Sequence, residues 1–109
     1  MPGETTTLNQ VGFQALGVSG TAVGLTRPKN VATGVTEHPR RAMIAVSGGA
    51  IRWNATPGDP PGPGYGTYVN AGGTIDWTRM DTDYAGIIDN VKFVKAGAAD
   101  AVLEVSFYG

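Results

Sequence analysis

The chain has 109 residues and a mass of 11.2 kDa, which allows one domain. Its 17 glycines and 7 prolines are nearly double the roughly 12% of average usage. Glycine loses the most backbone entropy in a helix and proline lacks the N–H, so a helical bundle is excluded. With 41% hydrophobic residues and a net charge of −1, disorder is disfavoured, and the chain lacks the basic surface that nucleic-acid binding needs.

Twelve threonines, eleven valines and five isoleucines against four leucines favour pleated strands and imply a thin core of small residues. Neighbouring subunits would supply burial to such a core. The chain has no cysteine, so disulfides and thiolate-bound metals are excluded. No apolar run is long enough to span a membrane as a helix. Met1 to Thr7 has no basic region ahead of an apolar one and does not read as a secretory signal.

Residues 1–11 are polar and threonine-rich and read as an extended N-terminal arm. Residues 12–109 form the domain. Phe13 to Leu16 and Thr21 to Leu25 are short strands around Gly17-Val18-Ser19-Gly20. Residues 26–39 read as a loop, with a short strand at Val31 to Val35. Arg41 to Val46 is apolar at successive positions, as in a central strand covered on both sides. Ser47-Gly48-Gly49 joins it to Ile51 to Asn54 as a hairpin.

Residues 55–66 hold four prolines and four glycines, which forbids helix or a central ladder strand. The Pro60-Pro61 pair favours an extended polyproline conformation, and a loop of this length is often functional. Thr67 to Asn70 and Thr74 to Trp77 flank Ala71-Gly72-Gly73 as a second hairpin. A helical turn is expected near Tyr84 to Ile88, then a strand at Val91 to Lys95 and a last one at Ala101 to Tyr108. In that last strand the period of two puts Ala101, Leu103, Val105 and Phe107 inside.

The fold class is therefore all-β, a single antiparallel β-sandwich or jelly-roll-like barrel of seven to eight short strands. The expected core holds Met43, Ile44, Val46, Ile51, Trp53, Ile75, Trp77, Val91, Phe93, Leu103, Val105 and Phe107.

Candidate chemistry is sparse. His38 is the sole histidine and lies in a polar turn without a nucleophile pattern around it. Asp81, Asp83, Gly86 and Asp89 match four positions of a calcium loop. Ala85 stands where a side-chain oxygen is usual, and Lys92 stands where a bidentate glutamate is required, so an EF-hand is rejected. Asn54-Ala55-Thr56 fits a glycosylation sequon but carries no weight without a secretory signal. Trp53 and Trp77 share strand faces with isoleucines and belong to the core, which counts against a sugar-stacking platform. Tyr65 and Tyr68, beside the Pro-Gly loop, are expected to be exposed and available to a protein partner. No catalytic residue, cofactor site or metal site is assigned.

Arg41-Ala42-Met43-Ile44-Ala45-Val46 followed by Ile51-Arg52-Trp53-Asn54 resembles a strand pair in small structural proteins of tailed bacteriophages. Ala55-Thr56-Pro57-Gly58, Ala71-Gly72-Gly73-Thr74, Val91-Lys92-Phe93-Val94 and Leu103-Glu104-Val105-Ser106-Phe107-Tyr108 continue the pattern in order over residues 41–109. Its Pro-Gly loop is longer and richer in proline than theirs. The resemblance implies a non-enzymatic virion protein, assembled in the host cytoplasm, that decorates or cements a capsid. It would contact the major capsid protein or other virion proteins as a homo-oligomer, with a trimer the first expectation. The alternatives are a tail or head–tail junction component and a carbohydrate-binding β-sandwich module. The partner-binding residues expected are Thr5, Thr6, Thr7 and Leu8 of the arm, with Pro60, Pro61, Pro63, Tyr65 and Tyr68.

Overall fold

A computed structural model describes residues 9–62, 64–78 and 87–109. It contains β1 (Gln10–Val18), β2 (Val23–Gly24), β3 (Arg41–Ser47), β4 (Ile51–Asn54), β5 (Thr67–Val69), β6 (Thr74–Trp77), α1 (Ile87–Asn90), β7 (Lys92–Lys95) and β8 (Ala101–Tyr108). The strands form two four-stranded sheets, ordered β1-β8-β3-β6 and β2-β7-β4-β5, and every pairing is antiparallel. Strand one pairs with eight, two with seven, three with six and four with five. This is the pairing of one long hairpin rolled into two layers, and contacts β3–β8 and β4–β7 close the roll. The protein is an all-β sandwich with jelly-roll strand order.

Strict alternation builds the core. In β8 Ala101, Leu103, Val105 and Phe107 are buried while the residues between them are not, as the period of two requires. Ala42, Ile44 and Val46 of β3 and Ile75 and Trp77 of β6 face inward beside them, and Ile51 and Phe93 approach from the second sheet. Trp53 and Trp77 meet edge to face across the layers, with ring centroids 5.4 Å apart, a favoured aromatic geometry. Val18, Ala42, Ile87, Ile88 and Val94 are core residues that the sequence pattern did not single out. Val18 closes the end of a strand, and Ile87 and Ile88 lie on the single turn α1, where too few residues exist for a period to show.

Several expectations are corrected. Arg41 to Val46 is central in its sheet but covered on one side only, and Met43 is 37% exposed rather than buried. β3 and β4 are not a hairpin, because they lie in different sheets, and the same holds for β5 and β6. Gly48, at φ +83°, and Gly49 carry the chain from one sheet to the other. A Cβ on Gly49 would lie 2.5 Å from the Ala99 carbonyl oxygen, so the crossing leaves no room for a side chain. Val31 to Val35 is a turn tip, not a strand. Its base is the isolated bridge Lys29–Thr36, and the Asn30 Oδ1 accepts the N–H groups of Ala32 and Thr33 at 2.9 and 3.0 Å.

The topology sorts the connections. Segments 19–22, 48–50, 70–73 and 96–100 are short and meet at one pole, where Lys95 N–H donates to Ser19 O and Ala96 N–H to Ala50 O. Segments 25–40 and 55–66 and the β6–β7 connection emerge at the other pole. Asn9 and Gly109 pair there by two backbone bonds. β1 begins at Gln10, so residues 10 and 11 belong to the sandwich. Residues 1–8, with Thr5, Thr6, Thr7 and Leu8, lie outside the described residues.

Candidate functional site

The long-loop pole gathers segments 25–40 and 55–66. The loop 55–66 is laced to the sandwich by its own polar groups. The Asn54 amide donates to the Asp59 carbonyl at 2.7 Å and to Asp59 Oδ2 at 3.2 Å. Asn54 Oδ1 accepts from the Thr56 backbone N–H and hydroxyl, an Asx-turn arrangement. Tyr65 donates its hydroxyl to Asp59 Oδ2, and Gly62 and Tyr65 exchange backbone bonds at 3.0 and 3.1 Å. Arg52 donates to the Gly66 carbonyl at 2.9 Å and lies over the Tyr68 ring at 5.2 Å. The carboxylate beside Tyr65 opposes loss of the phenolic proton and raises its pKa above the ordinary value.

These contacts fix the site residues expected from the sequence. Tyr65 and Tyr68 are 53% and 49% exposed, on a loop and strand that hold them still. Pro60 is exposed as well, whereas Pro61 is buried and serves as an anchor facing the protein. Pro63 lies outside the described residues. Val31 and Val35, expected as the ends of a short strand, stand exposed on the Asn30 turn instead. The turn-forming Asn30 and Gly34, four positions apart in Asn30-Val31-Ala32-Thr33-Gly34-Val35, were the available signal.

An ion pair between distant segments braces the pole. Arg27 makes a bidentate contact with Asp89, Nε to Oδ1 at 2.9 Å and Nη2 to Oδ2 at 3.0 Å, tying loop 25–40 to α1. The guanidinium holds the Asp89 carboxyl below its ordinary pKa. His38 approaches Arg27 Nη1 at 3.4 Å and is exposed, which fits the reading of a loop histidine. Asp81 and Asp83 lie outside the described residues, and among those described no three acidic or histidine side chains gather to hold a metal ion. An open cleft of about 240 Å³ lies between Thr56, Asp59, Pro60, Asp89 and Lys92.

No protein-family model matches the chain, and no curated protein or solved structure matches it. The chemistry of the pole is therefore read from its own residues. Its carboxylates at positions 59 and 89 are engaged by Tyr65 and Arg27. Among the apolar side chains exposed on this side are Tyr65, Tyr68, Val31 and Val35, and tyrosine is enriched in protein contacts.

Proposed function

We propose that the chain is a non-enzymatic structural protein of a tailed-bacteriophage virion that decorates or cements the capsid. The observation that carries the reading is the exposure of Tyr65 on the braced loop 55–66 and of Tyr68 on the adjoining strand β5, with Val31 and Val35 exposed on the Asn30 turn. Preordered aromatic anchors lose little entropy on docking. The resemblance over residues 41–109 supplies the virion context. Jelly rolls serve in capsid domains and in lectins alike, so the fold alone does not choose between them. The packing of Trp53 against Trp77 favours the capsid reading over sugar binding, because neither indole stands out as a stacking platform.

The contact partner is the major capsid protein or another virion protein. The test is co-sedimentation of the purified chain with capsids lacking it. Binding that falls about tenfold or more in the Tyr65→Ser, Tyr68→Ser double variant supports the reading. No binding by the parent chain, or equal binding by both, refutes it.

A further inference from the structure

We propose that two copies of the chain associate edge to edge through β1, antiparallel about a two-fold axis at Ala15. The pairing would merge the β1-β8-β3-β6 sheets into one continuous eight-stranded sheet. It goes beyond the virion reading and does not depend on it.

β1 is a sheet edge, and among the described residues no strand pairs with its other side. Alternate residues therefore direct their N–H and C=O groups outward without a strand partner. Natural edges are guarded by shortness, charge, proline or a bulge. The other edges of this sandwich are short: β2 has two residues, β5 three and β6 four, the last with Asp76. β1 has nine residues, Gln-Val-Gly-Phe-Gln-Ala-Leu-Gly-Val, without a charge or a proline. Its one irregularity lies between Gln10 and Gly12, and residues 12–18 pair with β8 in unbroken register. That run offers about 24 Å of open edge at roughly 3.4 Å per residue.

The occupant that the edge fits is a second β1. Ala15 is the middle residue of 12–18, so a two-fold axis there pairs the whole run with itself. No charge meets a like charge, which would oppose strand pairing. Phe13 of each copy comes opposite Gly17 of the other. Phe13 is 56% exposed, and the side-chain position of Gly17 is empty, with no atom within 4 Å of a built Cβ. An aromatic ring covering a cross-strand glycine is an established means of stabilising such an edge. Ala15 opposite Ala15 lets the backbones approach closely. The geometry thus points to two-fold pairing where the resemblance suggested three-fold.

The test is sedimentation of the full chain with two variants. The parent is expected to run at about twice its 11.2 kDa mass. Ala15→Lys sets two ammonium groups face to face and is expected to raise the dimer dissociation constant at least tenfold, with an unchanged circular-dichroism spectrum. Ala15→Cys introduces the only thiol, and opposed residues of an antiparallel pair lie within disulfide reach. Copper–phenanthroline oxidation should cross-link it into a covalent dimer. A parent that stays monomeric at all concentrations, an oligomer unaffected by Ala15→Lys, or an Ala15→Cys chain that does not cross-link would each overturn the proposal.

Discussion

Tyr65 donates its hydroxyl to Asp59, six residues earlier in the same loop, so an exposed aromatic of the pole is held by a carboxylate that sits between prolines. The pair converts a Pro-Gly run into a fixed platform, because Asn54 grips Asp59 from the end of β4.

The phenol of Tyr65 titrates above the ordinary value of about 10, since its neutral form is the one that donates to Asp59. Its raised folded value gives a contribution to stability that is present below the unfolded pKa and lost as pH rises through the folded one. Spectrophotometric titration of the tyrosines should show a high-pH component that disappears in Tyr65→Phe and moves down in Asp59→Asn. A component that stays in place in Asp59→Asn contradicts the assignment.

Ile44 and Met43 are adjacent in β3 and face opposite ways, one buried and one exposed. Ile44→Ala is expected to cost about 2–5 kcal/mol. Met43→Ala should stay within about 0.5 kcal/mol in the monomeric Ala15→Lys background. Denaturant unfolding measures both, and equal costs would contradict the orientation of β3.

The Arg27–Asp89 pair contributes modestly, because the Asp89 side chain is 58% exposed and exposed pairs are worth about 0–1 kcal/mol. Asp89 has a folded pKa below its unfolded one, so this contribution is full above the unfolded value and lost as pH falls through the folded one. Asp89→Asn should therefore cost a few tenths of a kcal/mol near pH 7 and progressively less as pH falls through the folded pKa of Asp89. A cost that does not fall with pH points to packing rather than charge.

Gly49→Ala places a methyl group against the Ala99 carbonyl at the crossing between sheets, and overpacking of this kind costs about 1–3 kcal/mol. Gly58→Ala meets open space but a positive φ, and its cost reflects backbone strain alone, about 1 kcal/mol. Thermal unfolding ranks the two, and the reverse order contradicts the close approach of segments 48–50 and 96–100.

Much of this architecture was legible because period two is strong where one face is buried. β8 reads directly from Ala101, Leu103, Val105 and Phe107. The glycine turns at 47–49 and 71–73 were also legible as turns, but turn chemistry does not say whether the chain reverses within a sheet or crosses to the other. Both proved to be crossings, and that difference makes a jelly roll instead of a row of hairpins. Met43 misled because an apolar residue on the open face of a sheet looks the same in sequence as one beneath a second layer. At the pole, Tyr65 and Tyr68 were foreseen as exposed. The Arg27–Asp89 pair was not, since 62 residues separate its partners and no local pattern links them. Asp59 was hidden among prolines, and its role emerged only when the loop folded back on Asn54.

The central claim is that the long-loop pole docks on capsid proteins, and cryo-electron reconstruction of particles assembled with and without the chain tests it most directly. The account predicts additional density of sandwich shape on the outer capsid surface, contacting it through segments 25–40 and 55–66. Density confined to the tail, or absent from both particles, would contradict it.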